Sequence, residues 1–174
     1  MESRNSVRNI TAHLLEKGRT LPGFMGDIGY AQSNRERYEG FCQALMDAGK
    51  TPNPSLCLTT PLGIDSYREE IDSFLSSLSR MPDAFVCASD YVACILMQLL
   101  EKRGLRVPED VAVSGFDNNI EDLLAENLTT VQVFNEELGS RLALQILYRI
   151  KYPHTPHEVT YLESKVLYRA STGD

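Results

Sequence analysis

No window of the chain approaches the ~20 consecutive apolar residues that a membrane-spanning helix requires. Its opening residues, Met1-Glu2-Ser3-Arg4-Asn5, also lack the apolar stretch of a secretion signal. The cytoplasm is therefore the expected compartment. The four cysteines, Cys42, Cys57, Cys87 and Cys94, form no CxxC unit. Most of them sit in apolar runs, where a free thiol behaves as a small hydrophobe, so they are expected to be reduced and buried. Basic residues are in deficit as well: 17 Lys and Arg against 24 Asp and Glu give a formal charge of -7. Such a surface repels polyphosphate, which argues against generic nucleic-acid binding by this chain.

The common enzyme motifs are missing too. There is no GxGxxG, GxxxxGK[ST], GxSxG or HExxH, so dinucleotide, phosphate-loop, hydrolase and zincin chemistries each lack their first residue. The three histidines, His13, His154 and His157, offer little for acid–base work. His154 and His157 share a proline-containing loop with only Glu158 as a neighbouring ligand, which suits a solvated surface better than a metal site. Catalysis, a cofactor and a metal are all unexpected.

What remains is ordinary globular material: 174 residues, 43% hydrophobic and 24% charged, without repeats or low-complexity stretches. A chain of this length forms one compact unit that buries roughly 70% of its unfolded surface. Val7, Ile10, Leu14 and Leu15 recur at helical spacing, predicting a helix over residues 1–18. A short strand, Leu21 to Met25, follows, with Pro22 confined to its start or to an edge because it cannot donate to a ladder. Tyr38, Phe41, Leu45 and Ala48 mark a helix from about Ser33 to Gly49.

The pattern then repeats. Leu56-Cys57-Leu58 reads as a strand, and Tyr67, Ile71, Phe74, Leu75 and Leu78 as a helix. Ala84 to Cys87 is a continuous apolar run typical of a buried parallel strand, followed by a helix from Tyr91 to Arg103 and a strand from Val111 to Ser114. Alternating strands and helices imply a doubly wound parallel α/β sheet with helices on both faces. The tail departs from that rhythm: Leu128 to Phe134 is strand-like, 136–150 is a long helix, and Val159 to Tyr168 alternates as a last strand or hairpin. Pro153 and Pro156 place an irregular linker between Tyr152 and His157.

In open α/β sheets, ligands bind beyond the carboxyl ends of the strands. Here those positions hold Asp27, Ser33, Arg35 and Arg37 after the first strand, Ser89 and Asp90 after the third, and Asp117, Asn118 and Asn119 after the fourth. Carboxylates with arginine at such a crevice suit a polyhydroxylated ligand, a sugar or a nucleoside. Plainer roles compete: Asp90 as a helix N-cap, and either arginine as a surface ion-pairing residue. Arg35 and Arg37 are two apart on a helix, so at most one enters the site.

Several strings, in order, resemble the effector-binding domain of lactose/galactose-repressor (LacI/GalR) regulators. They are Ser33-Asn34-Arg35-Glu36-Arg37-Tyr38-Glu39-Gly40-Phe41, then Pro82 to Ala93, then Val107-Pro108-Glu109-Asp110-Val111-Ala112-Val113-Ser114-Gly115-Phe116-Asp117-Asn118. Leu128-Thr129-Thr130-Val131 and Arg169-Ala170-Ser171-Thr172 complete the set. The chain departs from the family at Gly18-Arg19-Thr20-Leu21-Pro22 and at Gln132-Val133, where a glutamine often stands one position later.

The resemblance implies a periplasmic-binding-protein-like fold, mostly its carboxyl-terminal lobe, and a sugar-like small-molecule effector gripped by Arg37 and Asp117, with Ser33, Ser89 and Asp90 lining the crevice. Residues 1–20 are then expected in a partial amino-terminal lobe, 21–128 in the carboxyl-terminal lobe, 129–157 in a crossover with the other lobe's helix, and 158–174 in a returning strand. It further implies a fragment lacking its DNA-binding segment, with half a ligand site, apolar surface exposed on the first helix and on 136–150, and Arg37 facing solvent. DNA would be reached only through a segment absent from this chain, and no membrane partner is implied. A homodimer is implied near Ile95, Leu96, Leu99 and Leu100, unless those residues face the sheet. A periplasmic sugar-binding protein and a small α/β enzyme remain the competing readings.

Overall fold

A computed structural model describes residues 3–63, 65–119 and 126–174. Met1 and Glu2, at the start of the helix expected over 1–18, lie outside the described residues. In chain order come α1 (Arg4–Glu16), β1 (Pro22–Met25), α2 (Gln32–Asp47), β2 (Cys57–Leu58), α3 (Tyr67–Ser77), β3 (Ala84–Cys87), α4 (Asp90–Lys102) and β4 (Ala112–Ser114). After them are β5 (Thr130–Gln132), α5 (Asn135–Lys151) and β6 (Lys165–Leu167).

The first four strands form a parallel sheet in the order β2-β1-β3-β4. Side chains alternate across a strand, and both sides of this sheet are covered. Phe24, Ala84, Val86 and Ala112 face Val7, Ile10 and Leu14 of α1 and Phe41 and Leu45 of α2. Met25, Phe85, Cys87 and Val113 face Ile71 and Leu75 of α3 and Val92, Leu96 and Leu100 of α4. This is the doubly wound arrangement that the strand–helix rhythm predicts. Pro22 stands at the start of β1, where no ladder donor is needed.

Helix α1 is the first correction. Its apolar stripe packs on the same sheet as α2, with Ile10 and Leu14 fully buried, so it does not expose that stripe. The two helices cross so closely that a Cβ on Gly40 would come within 2.2 Å of the Arg4 carbonyl oxygen, which only glycine avoids. The proposed pairing residues on α4 are the second correction. Ile95, Leu96, Leu99 and Leu100 are all buried in the sheet's own core, because an apolar stripe this wide is consumed by β3, β4 and α3. None of the four cysteines forms a disulfide, but only Cys87 and Cys94 are buried, while Cys42 and Cys57 are half-buried at the edge of the other core.

The tail is held by short polar bonds. The Ser171 hydroxyl donates to the Val113 carbonyl at 2.6 Å and accepts from the Thr129 amide at 2.8 Å, while the Thr129 and Thr172 hydroxyls lie 2.6 Å apart. The closing Arg169-Ala170-Ser171-Thr172 string is thus a clasp on β4. Strands β5 and β6 pair antiparallel, and β5 continues alongside the end of β4 through parallel bridges at Ser114–Thr129 and Asp117–Gln132. The final strand covers only Lys165–Leu167 rather than Val159 to Tyr168. No helix among the described residues is long and apolar enough to cross a membrane.

Candidate ligand-binding site

The sheet order reverses direction between β1 and β3, so the carboxyl ends of those strands frame the crevice where ligands of open α/β sheets sit. Arg37, on α2 just after β1, reaches across that reversal. One of its terminal nitrogens donates to the Ala88 carbonyl at the end of β3. The other lies 3.4 Å from Asp117 Oδ1 beyond β4, a long and weak pairing. Its guanidinium stacks 3.6 Å above the centre of the Phe116 ring. Arg35, by contrast, is exposed, as their two-residue spacing demands.

Arg37 does not face solvent: it is 5% exposed. Burial pulls its guanidinium below the ordinary value, and the Asp117 carboxylate pulls the other way. The ring of Phe116 and the Ala88 carbonyl take the place of water around the cation. Its Nε has no hydrogen-bond partner among the described residues. A buried donor on a cation, left unused, marks a position shaped for an acceptor.

Asp117 is half-buried. Its carboxyl is raised above the usual range chiefly by burial, lowered again by Arg37 and raised by Asp90. Its backbone, at φ 110, and that of Asn118, at φ 49, lie in the left-handed region that non-glycine residues avoid. Neighbours hold them there. The Asp117 amide donates to the Val131 carbonyl at 3.1 Å, the Asn118 side chain donates to Gln132 Oε1 at 2.6 Å, and Arg169 donates to Asn118 Oδ1 at 2.9 Å. Strain maintained by this many bonds presents the Asp117 carboxylate toward Arg37.

Asp90 departs from expectation. It is 2% exposed and does not line an open crevice. Thr130 donates its hydroxyl to Asp90 Oδ1 at 2.5 Å, and the Asn118 and Asn119 amides donate to the same carboxyl. Gly115 makes room for it, since a Cβ there would lie 2.3 Å from Asp90 Oδ1. Asp90 therefore braces the Gly115–Asn119 turn from beneath. Nor is it the N-cap of α4: that role falls to Ser89, whose hydroxyl accepts from the Val92 amide at 3.3 Å. Ser89 remains half-buried with its own proton free to donate, and Ser33 is half-buried one turn before Arg37 on the same face of α2.

Spacing alone does not single out Phe116, Ala88, Gly115 or Gln132 as working parts of the site. Phe116 and Gly115 fall inside the Val107–Asn118 string, and Gln132 at the departure from the family pattern, so the sequence marks the positions without their roles. Among the described residues, no cluster of histidine, cysteine and acidic side chains could hold a metal.

A buried arginine and a strained aspartate thus stand together at the switch point of a parallel sheet. The chain belongs to the periplasmic binding protein-like domain family, matched over residues 11–172. It is 29% identical over 163 residues to the HTH-type transcriptional repressor PurR of Aliivibrio salmonicida, covering 92% of this chain and 48% of that protein. It is 35% identical over 130 residues to the HTH-type transcriptional regulator DegA of Bacillus subtilis, covering 74% and 38%. Its structure matches a LacI-type transcription regulator from Bifidobacterium animalis subsp. lactis with a TM-score of 0.83 at 26% identity, over 98% of this chain and 65% of that one. A complex of the transcriptional regulator CelR with cellobiose matches with a TM-score of 0.86 at 27% identity, over 98% and 52%. The chain spans about half the length of the curated relatives it matches, and those relatives are named as transcriptional regulators.

Proposed function

We propose that this chain is the effector-sensing part of a bacterial transcriptional regulator and that it binds a sugar or a related polyhydroxylated molecule without catalysis. The observation that carries the reading is Arg37: buried, stacked on Phe116, loosely paired with Asp117, and with an unused Nε. Vicinal hydroxyls satisfy such a pair from both sides, accepting from the guanidinium and donating to the carboxylate. Ser33 and Ser89 add neutral hydroxyls at the rim, and Asp90 contributes by holding the Asp117 turn in place. In this reading no cofactor is needed.

The wider assembly follows the same reading. Residues 21–128 and 158–174, with α1 added, form one lobe, and 129–157 cross toward a second. A ligand that favours one closure of two lobes biases distant DNA-binding segments by a coupling of typically ~1–3 kcal/mol. A homodimer in the cytoplasm, touching DNA only through a segment outside this sequence, fits relatives named as HTH-type repressors.

Calorimetric titration of Arg37→Ala against a panel of mono- and disaccharides that includes cellobiose tests the site. One charge-assisted hydrogen bond contributes ~1.5–3 kcal/mol, so affinity should fall about tenfold or more. Unchanged affinity for a sugar that the parent chain binds overturns the assignment.

A further inference from the structure

Asn118 makes more directed bonds than a turn residue needs. Its Oδ1 accepts from Arg169 Nη2 at 2.9 Å, and its Nδ2 donates to Gln132 Oε1 at 2.6 Å. Arginine carries only donors, so the Asn118 atom that meets it must be the acceptor, which leaves the amino group for Gln132. Gln132 passes the order on, because its own Nε2 donates to the Val133 carbonyl at 2.9 Å. The result is one polarised series of bonds, Arg169 to Asn118 to Gln132 to Val133, with a charge-assisted link at its start. Few residues besides glycine accept the φ of 49 found at this position. Asparagine does, and it adds both a donor and an acceptor.

The ends of this series lie on different segments. Gln132 closes β5, from which Val133 and Phe134 lead into α5, a helix with no buried residue. Arg169 lies two residues beyond β6, on the segment that brings the chain back. It is fixed there by the Thr129 hydroxyl, which accepts from its amide at 2.8 Å, and by the Leu128 carbonyl, which accepts from Nη1 at 3.1 Å. Between the two ends sits the neighbour of Asp117, whose own backbone bridges to Gln132. A shift of Asp117 toward or away from Arg37 therefore pulls on both segments through one side chain.

Resting on the functional reading above, in which residues 129–157 cross toward a second lobe, we propose that Asn118 is a positioning residue that couples Asp117 to the outgoing and returning segments. A molecule drawn against Asp117 moves the Asn118 amide, and both crossings follow. Lying between two sites does not by itself make a residue a coupler, so the test reads the coupling directly. Asp117→Asn removes the charge that faces Arg37, keeps the shape of the side chain and needs no ligand. Nitrogen–proton NMR spectra of the whole chain then report where that change is felt: at residues 133–135 on the outgoing side and 166–169 on the returning side.

Both groups of amides are expected to shift in Asp117→Asn. Repeating that change in an Asn118→Ala background should shrink both shifts by about threefold or more, whereas Gln132→Met should silence only the outgoing side and Arg169→Met only the returning side. Asn118→Asp keeps an acceptor for Arg169 and should retain the returning shift. If circular dichroism shows that Asn118→Ala does not fold, the two single-arm variants carry the same comparison. Millimolar cellobiose repeats the reading with a sugar, and its shifts at these residues should vanish in Asn118→Ala. If Asn118→Ala lowers stability in urea yet leaves both shifts in place, the side chain only holds the turn. The coupling is then overturned, while the role of Arg37 in sugar binding stands. It is overturned equally if Asp117→Asn moves neither group in the parent chain. If the charge change propagates through Asn118 but no sugar binds, the coupling holds and the sugar reading fails.

Discussion

Helices α1 and α5 carry the same kind of apolar repeat and end in opposite surroundings. Along α1, Val7, Ile10 and Leu14 disappear into the core beneath β1 and β3. Along α5, Leu142, Leu144, Ile146, Leu147 and Ile150 are all exposed, and no residue of the helix is buried. Amphipathic periodicity therefore reports that a face can be buried, not what buries it. For α1 the partner is the sheet that follows it in sequence. For α5 no described residue supplies one.

The largest expected effect tests this contrast directly. Ile10→Ala removes a side chain that is 0% exposed and should cost about 2–5 kcal/mol in urea unfolding. Leu147→Ala, at 63% exposure, should stay within about 0.5 kcal/mol. Equal losses at the two positions would mean that α5 is packed in solution, and the comparison would break.

A middle-sized effect is expected inside the well-packed lobe, at the turn between β4 and β5. Gly115→Ala places a Cβ 2.3 Å from Asp90 Oδ1 and 3.0 Å from Asp90 Cα. The first atom belongs to a short side chain that Thr130 already holds, so it cannot swing away cheaply. Overpacking of this kind costs about 1–3 kcal/mol, read as a lower urea midpoint. Because the turn carries Asp117, sugar affinity should fall with stability. A variant as stable as the parent would show that the turn has slack and that Asp90 does not brace it.

How much of this was legible follows from range. Ala84-Phe85-Val86-Cys87 is a buried strand on composition alone, and the two-residue spacing of Arg35 and Arg37 already sends them to different sides. The strand-end rule marks Asp117 without any knowledge of packing. What escapes such reading depends on residues far apart in the chain. Phe116 looks like one more core aromatic until Arg37 is laid over it, and Arg169 reaches Asn118 from 51 residues away. Asp90 illustrates the same gap: its place after a strand suggests ligand contact or capping, yet its direction is set by Thr130, 40 residues downstream. The partner of α1 and the lack of one for α5 fall in this class as well.

The smallest expected effect separates the acids of the site from an acid of the surface by pH. Asp90 and Asp117 are both raised above 3.8, chiefly by burial, so the folded state holds their protons at pH values where the unfolded chain has released them. Their contribution to stability is therefore full below the unfolded value near 3.8 and is lost as pH rises through their folded values. Asp110 behaves in the opposite way. Hydrogen bonds from the Arg106 side chain and amide hold it at about 2, so its contribution is present above 3.8 and is lost as pH falls toward 2. Unfolding free energy measured from pH 2 to 7 should then rise to a maximum near the ordinary aspartate value and decline above it. Asp90→Asn keeps an acceptor for Thr130 but cannot ionise, so it should flatten the upper limb and leave the lower one. Asp110→Asn should flatten the lower limb by a smaller amount, because water screens an exposed pair. An upper limb of unchanged slope in Asp90→Asn would show that this carboxylate is hydrated in the folded state, and the buried brace beneath Asp117 would have to be abandoned.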